Sequence, residues 1–335
     1  MIGLDIAKNV FEVHGRNAAS QVVLRRTVRR GNVAEFFGKL PPAVIGMEAC
    51  GSAHHWARVL GKLGHDVRLM PPAYVKPLVK RNKSDAIDAA ACCKGVIDPD
   101  MRFVPVKTVD QQAALSLHRS RELLVRQRTQ LGNALRALLS EFGIVAGQGK
   151  AGLAQLIEPL RAGTLELPED ALFSATMLAD QHAATDAVAA ELQKRIKAQA
   201  KADKTARMLQ TAPTVGPITA HAVRATLPDP ARFKSGRDFA AFLGLAPSNS
   251  GTGGKMRTGH ITKKGDPTLR RLLVLGATSW VRRVSNCLDK ASPWLRGMLA
   301  RKPKKVVAVA LAARTARVLW AMLTHNQPYR ASANA

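Results

Sequence analysis

Along the first hundred positions, short apolar runs and alternating stretches are interleaved with helical spacing. Ile2-Gly3-Leu4-Asp5-Ile6 reads as a first strand, Val10 to His14 alternates like its hairpin partner, and Gln21 to Val28 supplies a third strand. Asn32 to Leu40 is helical in pattern. Ala43 to Met47 is a short buried strand ending at Glu48, Ala53 to Leu63 is helical, and His65 to Met70 is a further strand. Pro71-Pro72 interrupts the chain. A basic stretch with Lys76, Lys80, Arg81 and Lys83 follows, and a helix is expected from about Ser84 to Lys94.

Three strands, a helix, then alternating strand and helix is the order of a ribonuclease-H-like α/β fold. Beyond residue 107 the pattern changes. Leu115, Leu123, Leu124, Leu131, Leu135 and Leu138 recur at helical spacing among Arg119, Arg121, Arg126, Arg128 and Arg136. Glu169 to Gln210 is a second long, Ala-rich amphipathic stretch. The two predict an α-helical coiled-coil hairpin joined by a looser Gly147–Pro168 segment. From Thr211 onward a mainly α-helical third unit is expected. Its Thr211–Thr219 stretch resembles a helix–hairpin–helix turn, in which Gly216 would let backbone N–H groups approach a phosphate. A flexible loop, Pro247 to Lys255, and a basic run, Arg257 to Arg271, lie further on.

Composition narrows the partner. The 335 residues carry 51 Lys+Arg against 24 Asp+Glu, a formal charge of +27, which suits a polyphosphate because each neutralised phosphate releases counterions. The start MIGLDIAKNV lacks the basic and apolar regions of a secretory signal. The longest apolar runs, such as Val306 to Ala313, fall short of the ~20 residues of a membrane span, so no membrane partner is expected. Cys50, Cys92, Cys93 and Cys287 show no metal-binding spacing. They suit reduced thiols in a bacterial cytoplasm.

Four carboxylates stand out. Asp5 lies inside an apolar strand, where a charge is costly unless it binds something. Glu48 ends the Val44–Met47 strand, and Asp85 and Asp88 are three apart on one helix, hence on one face. Taken singly, each has an ordinary role as a turn, loop or helix-start residue. In a ribonuclease-H-like fold, however, these three elements converge on one edge, and such oxygen ligands suit Mg2+ with water and phosphate oxygens. The Ser248–Lys255 loop adds a second candidate. Ser250 beside Gly251 could act as a nucleophile, or the loop could simply contact phosphate. Adjacent His54 and His55 diverge by about 100 degrees on a helix and make a poor metal pair.

Gly3-Leu-Asp-Ile-Ala-Lys8, Met47-Glu-Ala-Cys-Gly51 and Arg81-Asn-Lys-Ser-Asp-Ala-Ile-Asp88 resemble the three acidic motifs of the DEDD transposases of bacterial insertion sequences. Pro213-Thr-Val-Gly216, Arg232-Phe233, Phe239 to Pro247, Thr262-Lys-Lys-Gly265 and Leu269-Arg-Arg271 resemble the C-terminal half of that family. The resemblance implies a RuvC-like catalytic domain (residues 1–105), a helical coiled-coil region (106–208) and a C-terminal transposase domain (209–335). It implies a recombinase guided by a structured bridge RNA that pairs with donor and target DNA, assembled from dimers into a tetramer in the bacterial cytoplasm at the nucleoid. It further implies Mg2+ at Asp5, Glu48, Asp85 and Asp88, and a serine that links covalently to DNA. Ser250 is the expected nucleophile, with Thr252 the alternative on ungapped spacing. Arg81, Lys83, Lys255, Arg257, Lys263, Lys264 and Arg270 are the expected nucleic-acid contacts. Two rivals remain: a Holliday-junction-type nuclease that activates water at the same carboxylates, and a non-catalytic nucleic-acid-binding protein.

Overall fold

The expected alternation of strands and helices in the first hundred residues is present, with boundaries displaced by one or two positions. The computed structural model describes residues 1–79, 84–227 and 229–330, and the chain divides into two units, Met1–Gln112 and Ala113–Ala335.

The first unit contains β1 (Ile2–Ile6), β2 (Val10–Arg16), β3 (Val22–Arg29), α1 (Val33–Gly38), β4 (Val44–Glu48), α2 (Ala53–Lys62), β5 (Asp66–Met70), α3 (Pro72–Val75) and α4 (Asp85–Gly95). The sheet order is β3-β2-β1-β4-β5. β1, β2 and β3 run antiparallel in sequence, while β4 lies parallel to both β1 and β5. Side chains alternate across a strand, and the sequence of β1 and β4 uses both faces. Ile2, Leu4, Ile45 and Met47 join Phe11, Val13, Val33, Phe37, Trp56 and Leu60 in one core layer with α1 and α2. Each fully buried Leu, Ile or Phe there contributes about 1.5–3 kcal/mol. Gly3, Asp5, Gly46 and Glu48 fall on the opposite face, under α4. Ser84 begins that helix, its hydroxyl accepting from the Ile87 N–H at 3.4 Å.

The second unit opens with α5 (Val109–Ser140, its first turn in the preceding unit), α6 (Gly149–Arg161) and α7 (Glu169–Ala202). α5 and α7 run antiparallel. Arg121 donates to Gln193 at 2.9 Å, Arg128 pairs with Asp186, and Leu135 and Leu139 share a core with Ala175 and Ala179. The segment expected to be loose instead holds α6, whose Leu153, Leu156 and Leu160 are buried. Gly149 and Pro159 masked that helical spacing. Arg121, Arg128 and Arg136 are engaged inside this arrangement, whereas Arg119 and Arg126 are exposed.

There follow α8 (Lys204–Leu209), α9 (Pro217–Thr226), α10 (Gly236–Phe242), β6 (Pro247–Thr252), β7 (Lys255–Ile261), α11 (Pro267–Ser285), α12 (Pro293–Arg301) and α13 (Lys304–His325). α13 is long and apolar enough by composition to cross a membrane, contrary to the run-length expectation. Its Val307, Ala308, Ala312, Ala316 and Leu319 nevertheless belong to the core of this unit. In the Thr211–Thr219 turn the left-handed residue is Thr214, at φ 75°, not Gly216, which is extended at φ −90°. Gly276 admits this strained turn: a Cβ there would lie 2.2 Å from the Thr214 carbonyl oxygen.

His118 on α5 and His221 on α9 form a buried pair, with Nε2 and Nδ1 2.8 Å apart. Burial, then the His221 and Arg121 charges, lower the His118 pKa to about 4, and burial lowers that of His221. The folded state therefore favours neutral imidazoles. Their contribution is intact above the unfolded pKa near 6.5 and is lost as pH falls towards about 4. Acidification from pH 7 to 4 should thus cost on the order of 2 kcal/mol more in the wild type than in His118→Gln/His221→Gln, the shift of His118 setting the scale. Unfolding by urea at both pH values checks this, and parallel losses would refute it.

Candidate active site

The candidate site is built by two strands and one helix. Leu4 pairs with Met47 in the parallel β1–β4 register, so Asp5 and Glu48 are the next residues along adjacent strands. Two residues back, on the same faces, are Gly3 and Gly46, and α4 crosses at those glycines. A Cβ at Gly3 would lie 2.0 Å from the Ala89 carbonyl oxygen and 2.3 Å from the Cys93 nitrogen. One at Gly46 would lie 2.6 Å from the Val96 Cβ. Ala89, Cys92, Cys93 and Val96 fall on one stripe of α4 at helical spacing, and Asp85 and Asp88 continue it into the first turn. The close crossing therefore delivers both aspartates to Asp5. Ligand oxygens of Asp5, Asp85 and Asp88 all lie within 4.8 Å of one another.

That clustering has an electrostatic cost. Burial, then the charges of Asp85 and Asp88 and, more weakly, Glu48, push the Asp5 pKa up from 3.8 to about 6. A hydrogen bond from the Ile6 backbone offsets part of this. Three converging carboxylates are a donor set that fits a hard divalent ion. The turn after Asp5 is anchored by Arg30, which donates to the Ala7 and Lys8 carbonyls at 3.4 Å and lies over the Phe11 and Trp56 rings.

Cys92 sits beneath the cluster. Burial and the charges of Asp5 and Glu48 push its thiol up to about 12, so it stays protonated and inert as a nucleophile. All four cysteines are free. His54 faces Lys107, with Nε2 3.0 Å from Lys107 Nζ, and does not combine with His55. Gly3 and Gly46 carry no charge or ligand atom and so do not stand out in the sequence. Their signal was present as a glycine two positions before each strand carboxylate.

Ser250 lies in the second unit. The loop expected around it is a β-hairpin: Ser250 opposes Arg257, and Gly251 opposes Met256. Gly253 and Gly254, at φ 57° and 78°, make the two-residue turn that such strands favour. Every β6 residue is exposed, so no buried alternation marked it as a strand. The hairpin base is interlocked with the end of α10. Gly244 and Gly265 have φ of 69° and 83°, and a Cβ would lie 2.1 Å from the Lys264 oxygen in the first case and 1.7 Å from the Phe242 oxygen in the second. Arg270 donates to the Leu243 and Lys264 carbonyls at 2.8 and 3.0 Å, so its guanidinium braces the hairpin base. Lys255, Arg257, Lys263 and Lys264 are exposed. Arg81 and Lys83 lie outside the described residues.

Both halves match known families. Residues 2–144 match the DEDD transposase model of IS110 elements, and residues 206–292 match the model described as the IS116/IS110/IS902 family transposase. A probable family 20 transposase of Pseudomonas aeruginosa is 47% identical over 98% of both chains. The transposase for insertion sequence element IS1328 of Yersinia enterocolitica is 38% identical, over 97% of this chain and 96% of its own. That for IS1111A of Coxiella burnetii is 35% identical, over 99% and 92%. With both models matched in order and relatives aligned from end to end, the chain belongs to the IS116/IS110/IS902 family of insertion-sequence transposases.

Proposed function

We propose that this transposase cuts and rejoins DNA at a Mg2+ site formed by Asp5, Glu48, Asp85 and Asp88, with Ser250 as the attacking group. The observation that carries the reading is the convergence of Asp5, Asp85 and Asp88 within 4.8 Å on a strand carboxylate raised to about 6. The strand order β3-β2-β1-β4-β5, with one acid on each central strand and two on the covering helix, supports a ribonuclease-H-like, RuvC-like domain over residues 1–105. Residues 106–208 form its helical region and 209–335 the transposase domain that carries the hairpin.

A bound Mg2+ would neutralise phosphate charge and stabilise the attacking and leaving oxygens. Asp5 and Glu48, fixed on adjacent strands, and Asp85 and Asp88, fixed on α4, would hold it. The Ser250 hydroxyl, exposed on β6, forms a bond to phosphorus as the bond to the neighbouring nucleotide's oxygen breaks. Its proton passes to solvent, and the departing oxygen takes a proton from solvent, so the leaving strand ends as a hydroxyl. The phosphoserine conserves the bond energy, so a hydroxyl of the joining strand can displace Ser250 in reverse. Lys255 and Arg257 beside it supply positive charge for the phosphate. Partner choice by a bridge RNA, which the +27 charge suits, and assembly from dimers to a tetramer complete the reading, both resting on membership of the family.

The test is a denaturing gel of protein, Mg2+, the element's flanking RNA and labelled donor and target DNA. Wild type and Thr252→Ala should give a protein–DNA adduct, and Ser250→Ala should give none. Cleaved DNA without any adduct would replace the serine step by hydrolysis at the same carboxylates.

A further inference from the structure

Between Pro267 and Ala335 the sequence carries thirteen Lys and Arg and a single acid, Asp289. Four of those cations lie within five residues, Arg301-Lys302-Pro303-Lys304-Lys305, at the elbow where α12 ends and α13 begins. Every residue from Ala300 to Val306 is exposed. Among the described residues none of the four cations joins an ion pair, and the only side-chain bond here is from Arg301 Nε to the Gly297 carbonyl, at 3.0 Å. The elbow is not a loose tail. Leu295 is buried, Arg314 of α13 stacks over Trp294 of α12 at 4.8 Å, and Val307 and Ala308 enter the core immediately after the lysines.

Holding these cations together is unfavourable on two counts. Like charges at adjacent positions repel, and Lys304 and Lys305 occupy the first turn of a helix, where the dipole disfavours cations. No acid in that turn compensates. We propose that the α12–α13 elbow is a docking surface for the phosphate backbone of duplex DNA, separate from the Ser250 hairpin and independent of base sequence. The elbow offers no exposed aromatic ring to stack an unpaired base. It also has no amide, hydroxyl or carboxylate side chain to read adenine or cytosine edges, and its one guanidinium, Arg301, is tied through Nε to the Gly297 carbonyl. Its chemistry is positive charge, three of the four groups being lysine ammoniums, and it suits the phosphates of the duplex on which the proposed reaction acts, with one charge per about 1.7 Å of axis. The function would be to hold DNA flanking the reacting bond. The inference rests on the proposed action on DNA, yet it requires neither the carboxylates nor Ser250.

The test measures binding of the full-length protein in EDTA to two fluorescent duplexes of unrelated sequence and to a structured RNA hairpin, over a range of salt. In Arg301→Ala/Lys302→Ala/Lys304→Ala/Lys305→Ala the slope of log affinity against log salt for both duplexes should become shallower by about two to four. Affinity at about 100 mM salt should fall about tenfold on each, and RNA binding should change less. Unchanged duplex slopes, or a loss confined to RNA or to one DNA sequence, overturn the proposal. If the fourfold variant does not fold, Lys302→Gln/Lys304→Gln is read in the same way with about half the change. Adduct formation by the wild type, scored separately, tests the catalytic reading. A missing adduct with altered duplex slopes would sink that reading and leave the elbow assigned.

Discussion

Asp5→Asn should abolish DNA strand transfer and, in the same protein, raise the stability of the metal-free fold at neutral pH. Both effects have one cause. The Asp5 carboxyl is held at about 6 against an ordinary 3.8, chiefly by burial and then by Asp85 and Asp88. The folded state thus binds its proton more tightly than the unfolded chain does. Ionised Asp5 costs nothing below pH 3.8, costs progressively more as pH rises to about 6, and costs its full amount above that. A shift of about two units corresponds to about 3 kcal/mol in a dry site. Asp5 is only about half-buried, so solvent screening reduces this to about 1 kcal/mol. Asparagine keeps the shape and removes the charge. Calorimetry in EDTA should show the variant melting about 2–4 °C above wild type at pH 7.5, with the gap closing near pH 4. Added Mg2+ should stabilise wild type and not the variant. Strand transfer should fall by roughly 10³-fold or more, the scale on which losing one member of a catalytic unit acts. Equal melting temperatures at every pH would remove the electrostatic account, and full recombination by the variant would remove Asp5 from the site.

Gly3→Ala should cost both stability and activity, although it adds only one methyl group and removes no functional group. The new Cβ would fall 2.0 Å from the Ala89 oxygen and 2.3 Å from the Cys93 nitrogen, both helix backbone that cannot rotate aside. α4 must lift, at about 3 kcal/mol, and Asp85 and Asp88 lift with it. A displacement of about 1 Å is enough for about a 10²-fold loss of rate, so the surviving folded protein should turn over poorly and respond weakly to Mg2+. Gly61→Ala, in α2 with nothing within 4 Å of the added carbon, is the control and should be neutral or slightly stabilising. Denaturant unfolding and a strand-transfer assay at saturating Mg2+ separate the two costs. A Gly3→Ala protein as active as wild type would mean that α4 does not set the aspartates.

Much of the first unit was legible because its signals are local. A strand buried on both faces must be apolar throughout, so Asp5 within Ile2–Ile6 and Glu48 at the end of Val44–Glu48 were conspicuous. Asp85 and Asp88 were placed on one face by helical geometry alone. The β6–β7 hairpin was not legible, since both strands are almost entirely exposed and no burial pattern marks them. Arg270 illustrates the opposite failure. A cation in a basic run reads as a phosphate contact, yet its guanidinium is occupied by two backbone carbonyls. The His118–His221 pair joins positions 103 residues apart, and no local pattern announces such a contact.

The order of elements, the polyanion-seeking charge and the acids at strand ends are written in the chain's local pattern. Each follows from side-chain polarity and the short-range periods of strand and helix. Folding adds the close approach of α4 to the sheet at Gly3 and Gly46, the lock at Gly244 and Gly265 on the base of the Ser250 hairpin, and an α12–α13 elbow whose four cations meet no acid among the described residues. Those outcomes depend on steric contact and charge pairing between residues distant in the chain, quantities that no single stretch of sequence contains.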